Sequence, residues 1–481
     1  MLRDLAGDGV KEARFEFHPG GSLATTYRTQ GSDIGLAAGL IGMDILDPRM
    51  PDALEIAREA GLLIDFRITD YPASHPNTYR CQLLTKGNRE INATALSTGG
   101  GMIRFTEIDR FKVDLRGDFT ILYLPVNQLI SSDYRAFQEY LAELDTLIQC
   151  NLTEREGQQA IILSFKNGSQ TDRVQAFLNE RGSWYRLLRP VMPVAGYAGD
   201  PLPFRHLQDL YTQSAYQVQP ASEFAVSYES ARSGQSRDTL DRYMACLVQS
   251  WRSSIAAGLA GTSYPDRIAG SQSPQLWQRQ LEGRLIPSGP LNRMIAYSTA
   301  LMEVKSSMGV IIAAPTAGSC GGLPGCLIGL ADEQGLDDEV LIRGFWAAGL
   351  AGLFIARDGT FAAEVAGCQA ETGAGAAMAA AGLVEMFGGT AQQAMGAASM
   401  ALQNIIGLVC DPVANRVEIP CLGRNAAAVA NALASANLIL GGVDPVIPFD
   451  ETITTMMQVG TTMPHTLRCT ALGGLSVTPT A

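Results

Sequence analysis

From about residue 345 to 442 the chain is dominated by Ala, Gly, Met and Leu. Helices built from side chains that small must pack with their axes close together, because interaxial distance follows the size of the residues at the contact. That single stretch predicts a large, nearly all-helical region, which we extend from about 204 to the end. Polar and Gly-rich breaks at 313–325, 357–360, 410–424 and 441–450 interrupt it, and at such breaks helix ends can aim side chains or backbone N–H groups at a ligand.

The rest of the chain reads differently. Residues 1–127 mix short runs rich in β-branched and aromatic residues with helical patterns. Arg14–Phe17, Leu63–Ile68 and Thr120–Leu124 read as strands, and Pro51–Gly61 as a helix. Residues 128–197 read as helix, strand, helix and strand: Tyr134–Gln149, Gln159–Phe165, Thr171–Arg181 and Trp184–Leu188. The Pro-rich segment 193–203 reads as a linker. The predicted fold is therefore multidomain, with an α+β N-terminal domain (1–127), a small βαβ-type module (128–197) and an all-α C-terminal domain (204–481).

Composition narrows the function. With 481 residues, 46% hydrophobic and 17% charged, the chain has ample material for a packed core. Its net charge of −12 disfavours a phosphate backbone as partner, so no nucleic acid is expected. The uncharged stretches 386–410 and 425–443 approach membrane-span length but carry amides (Gln392, Gln393, Gln403, Asn404; Asn431, Asn437), so buried helices are expected there and no membrane partner. The opening Met1-Leu2-Arg3-Asp4 has no long apolar run, and nine scattered cysteines do not form a disulfide framework. A cytoplasmic enzyme is the expected class.

Three cysteines stand in polar or Gly/Pro-rich company: Gly367-Cys368-Gln369, Cys410-Asp411-Pro412 and Pro420-Cys421. None pairs with another at the two-to-four spacing common in zinc sites. Spacing alone leaves two readings open. They are buried small hydrophobes, or three thiolates for an iron–sulfur cluster with one iron lacking a protein ligand.

Larger motifs bear on that choice. The run Gly309–Ser319 (GVIIAAPTAGS), Gly-Cys-Gln-Ala-Glu at 367–371, Cys-Asp-Pro-Val at 410–413, and Pro-Cys followed by Arg424-Asn425-Ala426 resemble the α part of bacterial iron–sulfur L-serine dehydratases. Gly21–Ala24, Gly31-Ser32-Asp33, His75-Pro76-Asn77 and Ser97-Thr98-Gly99-Gly100-Gly101 resemble the β part of the same family. The resemblance implies a [4Fe–4S] cluster on Cys368, Cys410 and Cys421, no pyridoxal phosphate, and elimination of water from a small β-substituted amino acid such as L-serine. A 2-oxo acid and ammonia would result. The alternatives are sulfide elimination from cysteine, and a catalytically impaired scaffold or regulator. A homodimer is also expected.

Candidate catalytic residues are His75 and Asn77. Pro76 restricts the backbone of His75, and an imidazole beside an amide can bind a carboxylate or take a proton. Candidate substrate-binding residues are Ser97, Thr98, Gly99, Gly100 and Gly101, whose bare N–H groups suit an anion. Thr316, Gly318 and Ser319 join them as a hydroxyl-bearing loop, with Arg424 and Asn425 after the last cysteine. Glu371, three residues after Cys368, is expected on the same helical face.

The sequence also departs from the family. The usual opening segment Gly-Pro-Ser-Ser-Ser-His-Thr is not present. Gln30 stands where a histidine is usual, Lys305 where Asn is typical, and Gly423 where Glu is common. Gln30 cannot exchange a proton near neutral pH, so any acid–base duty at that position is expected to be lost.

Overall fold

The structure is a computed structural model that describes residues 1–99, 101–126, 131–165, 170–191 and 201–481. Gly100, part of the Gly-rich motif, and most of the expected linker at 193–203 lie outside the described residues.

The N-terminal part contains α1 (Leu2–Ala6), β1 (Val10–Phe17), α2 (Leu23–Thr26), α3 (Ser32–Ile41), α4 (Ala53–Glu59), β2 (Leu63–Ile68), β3 (Thr78–Thr85), β4 (Glu90–Ser97), β5 (Ile103–Ile108) and β6 (Phe111–Leu115). Six strands form one sheet in the order β2-β1-β3-β4-β5-β6. Only β1 and β2 pair in parallel, joined through α2–α4; the other pairs are antiparallel. Alternate residues of β1 (Ala13, Phe15, Phe17) are buried and meet α3 and α4 through Ala37, Ala38, Ala53 and Ala57. A period of two on the strand and small residues on the helices let the two layers approach.

A second sheet, ordered β10-β7-β9-β8, follows. It is built from β7 (Thr120–Pro125), α5 (Ser131–Leu141), β8 (Leu147–Arg155), β9 (Gln158–Phe165), α6 (Thr171–Glu180) and β10 (Arg186–Leu188). The strand at 120–125, which the sequence assigns to the first zone, belongs to this sheet and pairs with β9 and β10. The helix expected to reach Gln149 ends at Leu141, and β8 begins at Leu147. β8 is an edge strand, largely exposed, so it carries no alternating apolar signal. All four strands pair antiparallel, in a βαββαβ order.

The remainder is helical: α7 (Leu207–Tyr211), α8 (Ala221–Ser233), α9 (Arg237–Ala260), α10 (Ser273–Leu281), α11 (Leu291–Ser306), α12 (Gly322–Gln334), α13 (Asp338–Asp358), α14 (Ala363–Ala366), α15 (Ala374–Met386), α16 (Ala391–Gln403), α17 (Cys421–Leu440) and α18 (Phe449–Thr462). Every residue of α15 is buried, and the helix packs against α12, α13, α16 and α17. Close approach is visible atom by atom. A Cβ at Gly325 would lie 2.5 Å from Ser298 N, and one at Gly258 would lie 2.4 Å from Ala300 O. Glycine at those positions is what lets α11 seat against α12 and α9. The stretch 386–410 is broken between α15 and α16, while 425–443 lies mainly in α17. Among the described residues one helix, α13, is long and apolar enough to span a membrane by length and composition. Its Gly344 and Gly352 face Met386 and Met378 of α15.

Candidate active site at the thiol cluster

The breaks between the central helices converge on one place. Cys368 immediately precedes a π-type turn (Gln369–Gly373) that runs into α15. Cys410 lies in the loop after α16 and forms a parallel bridge with Arg468 of the C-terminal tail. Its N–H donates to Leu467 O at 2.9 Å, and Cys469 N donates back to Cys410 O at 2.8 Å. Cys421 is the first residue of α17 rather than a loop residue. All three are buried.

Ligand atoms of Cys368, Glu371 and Cys410 all lie within 4.8 Å of one another. Cys410 hydrogen-bonds to both Cys368 and Cys469, and those contacts, with burial, hold its thiol well above the usual range. Cys421 packs on Met302 and Cys320. Burial and then the charge of Cys368 push its thiol up as well. Cys469, which no motif in the sequence marks out, packs in one cluster with Cys368 and Cys410. Its nearness to Cys410 depends on a bridge 58 residues along the chain from that cysteine, which no spacing rule reveals.

Glu371 sits between the thiols and the Thr316 loop. Burial pushes its carboxyl up, while the Thr316 hydroxyl and the charges of Lys305 and Arg424 oppose that shift. A Cβ on Gly318 would come within 3.1 Å of both Glu371 oxygens, so only glycine lets this loop lie over the carboxylate. Thr316 Oγ1 accepts from Ser319 N at 3.1 Å, and Ser319 Oγ is buried without a partner. Lys305 donates to Val417 O, which draws the 410–421 loop toward α11.

Arg424 and Asn425 are committed to protein groups. Arg424 Nη2 donates to Asp411 Oδ1 at 2.7 Å, and its Nη1 to Val409 O at 3.0 Å and toward Cys368 Sγ at 3.5 Å. Asn425, fully buried inside α17, accepts from Gly321 N and Gly322 N (3.2 and 2.9 Å) and donates to Gly318 O and Cys421 O, both at 2.9 Å. It therefore caps the start of α12, not its own helix, and pins the Thr316–Ser319 loop. Asn425→Ala removes all these bonds at a buried site. We expect it to cost roughly 1–3 kcal/mol, read as a lower denaturation midpoint with helix content retained in the native baseline.

The N-terminal domain supplies the other wall. His75 Nδ1 accepts from Asn77 N at 3.1 Å, and burial lowers the imidazole pKa. Asn77, itself buried, donates from Nδ2 to Ser22 Oγ at 2.9 Å and to Glu364 Oε1 at 2.5 Å. That last bond joins the His75 loop to α14, next to Ala363, which packs on the thiols. The Gly-rich motif is the β4–β5 hairpin turn, in which Thr98 N and Met102 N bond across to Met102 O and Gly99 O. Ser97 N donates to Asn77 O at 3.0 Å. Gly99 rests on Phe361 and Ala362, whereas Thr98 is exposed and Gly101 faces open space. The hairpin thus touches the site through Ser97 and Gly99, and two of the N–H groups read as free anion donors are taken, Ser97 N by Asn77 O and Thr98 N by Met102 O. Gln30 reaches Ser32 Oγ at 3.0 Å. Glu364 was not singled out by sequence, its one available hint being its place four residues before Cys368, and Ser22 entered only as part of the Gly21–Ala24 motif.

Comparison with known proteins agrees with this arrangement. Residues 213–476 match the family model described as serine dehydratase alpha chain. The chain is 35% identical over 278 residues to the probable L-serine dehydratase alpha chain of Bacillus subtilis (strain 168), covering 58% of this chain and 92% of that protein. It is 46% identical over 194 residues to the L-serine dehydratase alpha chain of Peptoniphilus asaccharolyticus, covering 40% of this chain and 66% of the relative. Similarity to L-serine dehydratase 1 of Escherichia coli (strain K12) is 30% over 286 residues, 58% of this chain and 62% of that protein. The matched span contains every thiol of the cluster, Glu371 and the Thr316 loop. The chain belongs to the serine dehydratase alpha-chain family, and is a lyase of the serine ammonia-lyase type.

Proposed function

We propose that the protein eliminates water from L-serine to give pyruvate and ammonia, using a [4Fe–4S] cluster held by Cys368, Cys410 and Cys421. The observation that carries this reading is the gathering of buried thiols from separate elements around Glu371, within the span that matches the alpha chain. All nine cysteines are free thiols. Cys368 and Cys410 pack together, and Cys421 packs beside Met302 and Cys320 and feels the charge of Cys368. Buried sulfur donors with no disulfide between them are a donor set suited to iron–sulfur binding. When bound, such a cluster would supply a Lewis-acidic iron that favours departure of the β-hydroxyl.

The chain's own groups account for the rest. Thr316, Gly318 and Ser319 form a loop whose unpartnered Ser319 hydroxyl is available to a small polar substrate. His75 is held through its Nδ1 by Asn77, which in turn bonds Glu364 beside the thiols. Arg424 and Asn425 act as positioning residues, the first on Asp411 and Cys368, the second on the Thr316 loop. The reaction breaks the Cα–H and Cβ–O bonds and forms a Cα=Cβ bond. The resulting 2-aminoacrylate tautomerises and hydrolyses in water. On this reading the six-stranded domain is the β-like part, the helical region the α-like catalytic part, and the small module between them a regulatory unit.

The test is protein purified without oxygen, analysed for iron and acid-labile sulfide and then assayed for pyruvate and ammonia release from L-serine and L-cysteine. About four of each inorganic atom per chain and turnover of serine are expected. Cysteine turnover without serine turnover would replace the substrate. A loaded protein inert to both would favour the scaffold role, and full activity without iron would remove the cluster.

A further inference from the structure

We infer that Glu364, not His75, takes the α-proton from the substrate, and that His75 serves as a hydrogen-bond donor. This rests on the lyase reading above. The geometry of His75 decides its part. Its Nδ1 accepts the Asn77 N–H, so the neutral ring carries its proton on Nε2. An Nε2–H has no lone pair to offer a substrate proton, and burial favours the neutral ring. Gln30, where the family usually has a second imidazole, is an amide bonded to Ser32. Neither group can act as the base as it stands.

Glu364 can. It lies in α14, is 7% exposed, and stands at the seam between the N-terminal domain and the thiols. Asn77 Nδ2 donates to its Oε1, and Ser22 hydrogen-bonds to the same carboxyl. Its neighbour Ala363 packs on Cys368, Cys410 and Cys469. The titratable groups that face it are Tyr79 from β3, Glu371 from the π-type turn and Cys469 from the tail. Arg468 is directed to the carbonyl of Val365. α18, which packs on α14 with Gly460 against Ala366, carries its titratable groups, Asp450 and Glu451, in its first turn. Among the described residues no Lys or Arg forms an ion pair with the carboxyl. Burial therefore dominates and lifts its pKa to about 7, with the charge of Glu371 acting in the same direction. A base of that strength is matched to proton abstraction near neutral pH. In the step, the Cα–H electron pair forms the new C=C bond, the proton passes to a Glu364 oxygen, and the β-oxygen leaves with its bonding pair. The protonated carboxyl then returns its proton to water.

The test uses the full chain purified without oxygen. Glu364→Gln should lower kcat by roughly 10²–10⁴-fold with iron and sulfide content unchanged. Wild-type kcat/KM should rise with pH through about 7, because only the carboxylate accepts a proton, and the residual activity of Glu364→Gln should lack that limb. His75→Gln should raise KM and keep the limb. Glu364→Asp retains a carboxylate and should keep the limb at reduced kcat; it decides the matter if the Gln variant fails to load. A Gln variant within threefold of wild type, a limb that survives in it, or a limb lost in His75→Gln or in Glu364→Asp overturns the inference. Failure of the wild type to turn over serine would instead overturn the lyase reading on which it stands.

Discussion

Cys410→Ser is expected to leave a folded protein that retains almost no iron and has no lyase activity. The backbone at Cys410 is fixed from both sides by the bonds with Leu467 and Cys469, so a serine fits without moving the chain. What changes is the donor. A hydroxyl is a harder and far weaker ligand than a thiolate, and Cys410 lies centrally, hydrogen-bonded to both Cys368 and Cys469. Cys246→Ser, at an exposed cysteine, is the matched control and should load normally. Iron and acid-labile sulfide per chain, with circular dichroism to verify folding, give the readout. Full iron content in Cys410→Ser would mean that another donor set holds the metal.

The second large effect is on stability. Arg267→Ala should cost about 3–5 kcal/mol, the range for breaking one side of a buried ion pair. The side chains of Arg267 and Glu418 are only 5% and 3% exposed, and their Nε and Oε1 are 2.9 Å apart. Glu418 also accepts from Ile268 N at 3.0 Å and Ala269 N at 3.1 Å, and Arg267 reaches Thr262 Oγ1 and Ser307 Oγ. Removing the guanidinium strands a buried carboxylate three residues before Cys421. Loading of the cluster should therefore weaken alongside the fall in denaturant midpoint. Arg49→Ala, at an ion pair whose arginine is 68% exposed, should change the midpoint very little. Equal effects from the two substitutions would show that the Arg267–Glu418 pair is not what holds this loop.

Much of the helical half could be read from composition, because small side chains permit few arrangements other than close helix packing. The breaks at 410–424 and 441–450 coincide broadly with observed loops, although α12 and α17 each begin inside a predicted break. Of the N-terminal sheet, the sequence reading covers β1 and β2 only. β4, β5 and β6 do alternate apolar with polar residues (Ile91-Asn92-Ala93-Thr94, Ile103-Arg104-Phe105-Thr106 and Phe111-Lys112-Val113-Asp114), so the strand signal is present there over short runs, whereas β3 alternates less regularly. The edge strand β8 reads as the end of a helix because it is largely exposed and lacks an alternating apolar face.

The candidate site divides along a physical line. Sequence alone determined which residue types were available: three thiols in unusual company, the Thr316 loop, His75-Pro76-Asn77, and a carboxylate three residues after the first thiol. It also determined that small residues would bring the central helices close enough to bury them. Which groups meet was decided only by the folded chain. Asn77 and Glu364 are 287 residues apart in sequence, and Cys469 reaches Cys410 only through the tail bridge. Arg424 and Asn425 look like substrate contacts on paper and are committed to protein partners in space. A charge or a hydrogen bond acts over a few ångströms of distance, not of sequence, so burial and pairing, and with them the acid–base character of Glu364 and His75, belong to tertiary structure.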